Sequence, residues 1–257
     1  QLDVLIRFRG YAKGIALDLT KFYNSVDSVE RDQHLRRVIW SKVFTKEPDV
    51  YLTCKVNFGD RPAGVVVAAA LSQTADMFKD INPEVALKLK QDTYVDDFLT
   101  GDNSHAALDK LEADSRSIVG MGGFSFKPAV RSGDQADPMK VLGVVWQPKD
   151  DSLSVSCRVN LSEKKKGLHL EKDMDLDYLV KNPSIVVTRR EVWRVALMQY
   201  DPLGLLCPII LPFKLVMRSL AGGLVNKKDW DVPVGEQAAA TFWEAASKLQ
   251  EAKGILF

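Results

Sequence analysis

Apolar and polar positions follow strand-like periods early in the chain. The run "KGIALDL" (13–19) is apolar, ends next to a carboxylate and predicts a buried strand. The run "VYLTCKVNF" (50–58) alternates and predicts a second strand. After Pro62, the alanine-rich segment 63–81 carries apolar residues at helical spacing, which predicts a helix packed on the sheet.

The segment "QDTYVDDFLTGD" (91–102) has two short strand-like runs around a tight turn. It predicts a hairpin with Asp96 and Asp97 at or near its tip. Ser104 then fits the N-cap of a one-faced helix that ends in the glycines of 120–123. The predicted buried face of this helix consists of Leu108, Leu111, Ser115, Ile118 and Val119.

Further along, "FSFKP" (124–128) and the segment 139–159 predict more strands, the latter a hairpin that turns at 149–152. Beyond about residue 160 the pattern becomes helical, with proline and glycine breaks. The pattern therefore predicts an α+β first half followed by a mostly helical second half. The predicted helical segments are 162–180, 188–223 and 235–253.

The chain has 257 residues, of which 46% are hydrophobic and 27% are charged, and its net charge is +1. This composition is typical of a folded protein. The three cysteines are far apart and form no C-x-x-C pair, and the three histidines have no zinc-ligand spacing. The apolar stretch 205–213 is too short and too rich in proline to span a bilayer. We therefore expect a reduced, intracellular protein, located in the cytoplasm or in a virus-like particle, without a membrane partner.

Two adjacent carboxylates, Asp96 and Asp97, need either solvent or a cation, because like charges held together repel each other. An exposed turn is the simpler interpretation, since Asp is common in turns. Asp18, at the end of another predicted strand, favours a cation site over an exposed turn. Three carboxylates would complete an oxygen-rich site for two divalent cations, which act on phosphoryl oxygens.

Five motifs, in order along the chain, resemble those of reverse transcriptases. "YVDD" (94–97) resembles the catalytic signature of that family, and "ALDLTKFYNSV" (16–26) resembles its first palm motif. The other three are "FGDRPAG" (58–64), "GGFSFKP" (122–128) and "KVLGVVW" (140–146).

Two later segments narrow the resemblance to BEL/Pao-type retrotransposon polyproteins, namely "YDPLGLLCPIILPFK" (200–214) and "DWDVP" (229–233). The resemblance implies an α+β right-hand palm over 1–147, with a remnant of the fingers. It implies a helical thumb and the start of a connection region over 148–257. RNase H and integrase domains of the same polyprotein would be partners.

The resemblance implies that Asp18, Asp96 and Asp97 are catalytic and hold two Mg²⁺ ions, for which Mn²⁺ could substitute. The reaction would be the addition of deoxynucleoside triphosphates to a primer on an RNA or DNA template, by in-line phosphoryl transfer.

Further positions would bind the nucleotide and the primer. Tyr23 would lie under the incoming sugar, although it could be an ordinary core tyrosine. Lys127 would face the triphosphate, although it could be a solvated surface lysine. The remaining implied contacts are Phe58 and Gly59 to the base and sugar, Val95 to the primer terminus, and Leu142 and Gly143 to the primer strand.

The sequence departs from the family at three places, the first being Pro128 and Ala129, which stand where a tryptophan is common after the lysine motif. The motif that begins at Phe58 ends in Pro62, Ala63 and Gly64, where many relatives have a serine-proline pair. Only residues 1–14 precede the first motif, so we expect most of the fingers to be missing and the chain alone to polymerise poorly. No Asp-Thr/Ser-Gly triplet of an aspartic peptidase occurs, and the RNase H and integrase carboxylates are expected beyond Phe257.

Two alternatives remain open. The first is a domesticated or decayed, non-catalytic module that binds nucleic acid or protein. The second is a Mg²⁺-dependent phosphohydrolase, although Thr20 stands where its second aspartate would be. Whether the chain is a polymerase or a module that only binds nucleic acid, we expect basic residues of its second half to contact the phosphates of the nucleic acid. These are Lys164, Lys165, Lys166, Arg189, Arg190, Lys227 and Lys228.

Overall fold

The computed structural model describes residues 1–43, 47–155, 157, 180–181, 186–223 and 225–252. The chain forms two compact units. Unit 1 comprises 1–136 and 148–151, and unit 2 comprises 137–147 and 152–257. The strands of 139–147 thus belong to unit 2, whereas the palm was predicted to extend to 147; the assignment of palm and thumb remains a prediction.

Unit 1 is built on a four-stranded sheet in the order β4-β5-β1-β6. The central strands, β5 and β1, are antiparallel. The four inner residues of each are all buried, so both faces of these strands are covered and buried positions do not alternate with exposed ones. The strands are β1 (Lys13–Asp18), β4 (Thr93–Tyr94), β5 (Asp97–Asp102) and β6 (Val130–Arg131).

Helices cover this sheet and supply the core of unit 1. Three of these helices contribute buried aliphatic side chains, such as Val67 and Leu71, to the same core as Phe98 of β5. Burying such side chains contributes about 1.5–3 kcal/mol each. The helices are α1 (Leu2–Gly10), α2 (Glu30–Gln33), α3 (Ala63–Met77), α4 (Pro83–Gln91) and α5 (His105–Met121), with a 3₁₀ turn at Tyr23–Ser25.

A separate two-stranded hairpin, β2 (Arg37–Trp40) and β3 (Asp49–Leu52), also belongs to unit 1. All eight of its residues are exposed. Strand β3 covers the beginning of the predicted strand 50–58, which is shorter in the structure than in the prediction because its second half turns back to pair through Lys55 with Asp27.

Unit 2 contains a small antiparallel sheet, β7 (Met139–Val141), β8 (Val144–Gln147) and β9 (Ser152–Ser154), in that order. Its helices are α6 (Arg189–Met198), α7 (Cys207–Leu220) and α8 (Glu236–Glu251). The 3₁₀ turns are Ala221–Gly223 and Lys227–Asp231. Phe213 and Phe242 join α7 to α8 through an edge-to-face contact of 5.4 Å between ring centroids.

The structure confirms the α+β class, with small antiparallel sheets and packed helices. The helix after Ser104 is confirmed in detail, since the Ser104 hydroxyl accepts from the Ala107 amide at 3.2 Å and all five predicted core positions are buried. Helices α1, α2 and α4 were not predicted. The predicted helix at 162–180 lies outside the described residues, except for its last position.

The segment 124–128 is not a strand, although a strand was predicted; it forms an isolated bridge between Phe126 and Leu19. Proline at 128 and glycines at 122 and 123 shorten the pairing there. Among the described residues, no helix combines the length and apolarity that a membrane span requires.

Candidate active site

A two-residue turn places the paired carboxylates. Tyr94 and Asp97 are partners across β4 and β5, so Val95 and Asp96 form the loop between the strands. Val95 has a φ of +59°, while Asp96 does not have a positive φ, which is the pattern of a type II′ turn. A β-branched residue in the left-handed region is strained, and such strain is concentrated at functional sites.

Asp18 lies directly opposite Asp97 in the ladder of β1 and β5. Side chains of directly opposed residues project to the same face of a sheet, with Cβ atoms roughly 4.5–5.5 Å apart. The next rung is closed by the Leu19 amide, which donates to the carbonyl of Asp96 at 2.8 Å. The fold thus brings the three predicted carboxylates to one end of the central strand pair.

Lys127 flanks Asp18 on the side away from Asp97. Its backbone amide donates to the carbonyl of Asp18 at 2.9 Å, and its Nζ lies 2.9 Å from Asp18 Oδ1. The pKa of Lys127 is raised, first by this contact with Asp18 and further by the charges of Asp96 and Asp97. Lys127 is exposed, which agrees with a surface lysine, and it is also paired with Asp18, a candidate catalytic residue.

The electrostatics of the cluster are those of crowded carboxylates. Burial, followed by the charges of Asp96 and Asp18, raises the pKa of Asp97 to about 6, and Lys127 opposes that rise. The folded chain therefore disfavours a third negative charge at this place unless a cation is added. A divalent cation is the strongest means of supplying that charge.

The oxygen atoms of the carboxylate cluster fit the ligand preference of Mg²⁺. Oδ1 of Asp18 is buried and accepts no hydrogen bond; the Lys127 ammonium is close to it, but the contact lacks hydrogen-bonding geometry. Within the described residues, no group of three His, Cys, Asp or Glu side chains is already arranged to hold a metal. Mg²⁺ is commonly held by one or two carboxylates together with substrate phosphates, so this hard, anionic and incompletely satisfied set fits it.

Tyr23, Phe58 and Gly59, the predicted nucleotide contacts, are brought together near the start of α3. The rings of Tyr23 and Phe58 are 4.3 Å apart between centroids, and Phe58 is 71% exposed. Gly59 has a φ of +92°, and a Cβ added there would meet no atom within 4 Å. Tyr23 is half-buried against the core, so the structure is compatible with both of its interpretations.

Val95 lines a small cavity of about 70 Å³ beneath the turn, together with residues of α3 and α4 that include Leu71 and Leu89. Leu142 and Gly143 form the two-residue turn between β7 and β8, both with positive φ, as in a type I′ turn. The predicted turn is therefore present, and its contact with a primer stays a prediction.

Asp92 supports the hairpin from below and was not identified in the sequence. It is fully buried and accepts from Arg7 Nε at 2.6 Å, Tyr11 Oη at 3.0 Å and Thr100 Oγ1 at 2.7 Å. Its carbonyl also accepts from the Leu99 amide. In the sequence, Asp92 looks like one more polar residue near the Asp-Asp turn. Nothing local reveals its role, because Arg7 and Tyr11 lie more than 80 positions away.

Two of the seven basic candidates of unit 2, Arg189 and Arg190, make contacts that stabilise the fold. Arg190 makes two hydrogen bonds to the carboxylate of Asp231, at 2.7 and 3.1 Å, and Arg189 donates to the carbonyl of Gly223. Lys228 is exposed. The candidates at 164–166 and the side chain of Lys227 lie outside the described residues.

Among the described residues of the same unit, five carboxylates cap turns or helices or form ion pairs. Glu191 caps α6 through the Thr188 amide, and Asp201 accepts from the amides of Leu205 and Leu206. Asp229 accepts from two further amides, while Asp231 pairs with Arg190 and Glu244 with Lys248.

Residues 188–256 match the family model described as Pao retrotransposon-like RNaseH-like domain. The matched range contains both segments whose resemblance to BEL/Pao polyproteins was noted in the sequence, and it lies in unit 2. A search of curated proteins finds no match. Over these residues the chain is similar to BEL/Pao retrotransposon proteins, and the description names an RNaseH-like domain where the sequence predicted thumb and connection.

Proposed function

We propose that unit 1 is the catalytic palm of a reverse transcriptase, which adds deoxynucleotides to a primer by two-metal phosphoryl transfer. The carrying observation is the pairing of Asp18 with Asp97 across β1 and β5, next to Asp96 in a strained turn. The match of unit 2 to a retrotransposon family supports a nucleic-acid-processing role for the whole chain.

Asp18, Asp96 and Asp97 would hold the divalent ions, which when bound polarise phosphoryl oxygens and lower the pKa of the attacking hydroxyl. The chain's own groups supply the surroundings. Lys127 brings a positive charge to the same face, where it can neutralise charge on a triphosphate. The Tyr23 and Phe58 rings offer an aromatic surface for the sugar and base of a nucleotide.

Metal binding tests the site without depending on turnover. Mn²⁺ should bind the intact chain, as followed by electron paramagnetic resonance. Asp18→Asn, Asp96→Asn and Asp97→Asn should each weaken this binding by at least about tenfold, because each removes a charged oxygen ligand. Asp76→Asn is the matched control, since this exposed aspartate pairs with Lys90 at 2.8 Å.

Primer extension tests the reaction. The chain should add deoxynucleotides to a primer annealed to RNA, slowly, with the activity lost in Asp96→Asn and retained in Asp76→Asn. Metal binding without extension under any condition would favour the non-catalytic module. Metal binding that is unchanged in all three aspartate variants would overturn the site itself.

A further inference from the structure

Arg116 of α5 grips the backbone beside the candidate site. Its two terminal nitrogens donate to consecutive carbonyls, Nη1 to Phe126 at 3.1 Å and Nη2 to Lys127 at 2.9 Å. A planar guanidinium presents several donors in a fixed fork, whereas a lysine ammonium is a single point charge on a flexible stem. Holding two neighbouring carbonyls at once is therefore a task for arginine.

The fork is anchored at its other end. Arg116 Nε donates to Glu112 Oε1 at 2.7 Å, one turn earlier in α5. Glu112 also accepts from Arg131 of β6, which in turn pairs with Asp109. Burial opposes ionisation of Glu112, but the hydrogen bonds from Arg131 and Arg116 outweigh it, and the pKa of Glu112 lies below its usual value. Arg116 is thus held by a network of charged side chains that consists of Glu112, Arg131 and Asp109.

The gripped segment has no strand ladder of its own. Phe126 pairs with Leu19 in an isolated bridge, and the Lys127 amide donates to the carbonyl of Asp18. The Arg116 guanidinium also lies over the Phe126 ring, 6.0 Å from its centroid. Few other backbone bonds fix the position from which the Lys127 side chain extends to Asp18.

We propose that Arg116 is a positioning residue for Lys127: by holding the carbonyls of Phe126 and Lys127, it keeps the Lys127 ammonium at Asp18. This inference rests on the proposed function as far as catalysis is concerned, since Lys127 would then act on the triphosphate. The positioning itself is a property of the chain and is measurable without turnover.

The first experiment measures hydrogen exchange of the Lys127 amide by NMR in the intact chain. Arg116→Lys keeps the charge and removes the fork, so exchange should become faster by about tenfold. Arg31→Lys is the matched control, because it makes the same exchange at an exposed arginine that pairs with the neighbouring Asp32 and is far in sequence from 126–127, and protection should stay at the wild-type level. Unchanged protection in Arg116→Lys would overturn the inference whether or not the chain is an enzyme.

The second experiment is a double-mutant cycle in primer extension. Arg116→Lys should lower kcat about fivefold with little change in KM for the nucleotide, and it should cause no further loss in a Lys127→Ala background. An equal loss in both backgrounds would mean that Arg116 only stabilises the fold, and would refute positioning through Lys127. Absence of extension in the wild type would count against the proposed function, while the exchange measurement still decides the positioning.

Discussion

Asp18 and Asp97 occupy the same rung of the antiparallel pair β1 and β5, so that two carboxylates from segments about 80 residues apart share one face of the sheet. Asp96 follows from the turn, and Lys127 lies on the far side of Asp18. The fold therefore maintains a concentration of negative charge that a single ammonium only partly offsets.

Replacing Asp97 by Asn should stabilise the metal-free protein at alkaline pH. The pKa of Asp97 rises from 3.8 to about 6 on folding, so the folded protein binds this proton more tightly than the unfolded chain does. The resulting gain in the free energy of unfolding is complete below the unfolded pKa and is lost as the pH rises through about 6. At pH 8 the variant should be more stable by about 1–2 kcal/mol after allowance for solvent screening, and at about pH 3, below both pKa values, the two should be equal. Urea denaturation without divalent metal at both pH values measures this.

Asp76→Asn is the control for that comparison, because Asp76 is exposed and paired with Lys90. It should give no gain at either pH. Equal stability of the wild type and Asp97→Asn at pH 8 would contradict the charge crowding inferred for the site.

Relief of the strained turn should also be measurable. Val95 has a φ of +59° and is 41% exposed, so Val95→Asn loses little burial and gains a residue that tolerates this conformation. We expect a gain of about 0.5–1 kcal/mol in the free energy of unfolding. Val50→Asn, the same exchange at an exposed strand position, should give a loss instead. A loss in Val95→Asn would argue against strain at the turn.

Removal of the buried acceptor below the hairpin should be costly. Asp92→Ala leaves donors of Arg7, Tyr11 and Thr100 without their carboxylate, and we expect a loss of about 2–4 kcal/mol. Thermal and urea denaturation measure the loss. Asp76→Ala removes only an exposed ion pair and should cost less than about 1 kcal/mol. Similar costs for the two variants would show that the buried network contributes nothing.

Two glycines separate backbone strain from steric overlap. Gly59 and Gly143 have φ values of +92° and +91°, but a Cβ at Gly59 would meet open space, whereas a Cβ at Gly143 would overlap the Tyr200 ring. Gly59→Ala should therefore cost about 1 kcal/mol and Gly143→Ala about 2–4 kcal/mol. Denaturation of both variants, and of Gly143→Ala combined with Tyr200→Ala, checks whether removing the ring recovers the difference.

Local rules were sufficient where neighbours in sequence are neighbours in space. The cap at Ser104 and the buried face of the following helix could be derived from a 3.6-residue period alone, and the hairpin at 91–102 from a period of two around a polar turn. The same rules overestimated the strand at 50–58, because the pattern cannot tell where a partner strand ends.

The sequence alone determined the residue types of the site: three carboxylates, a lysine and two aromatic residues, in an order that resembles reverse transcriptases. Only the tertiary structure decided the rung that joins Asp18 to Asp97, the three donors on Asp92 and the grip of Arg116 on the segment of Lys127. These contacts join residues separated by about ten to eighty positions. Their geometry depends on sheet register and helix packing, which are set by the whole core and not by the local pattern of polar and apolar residues.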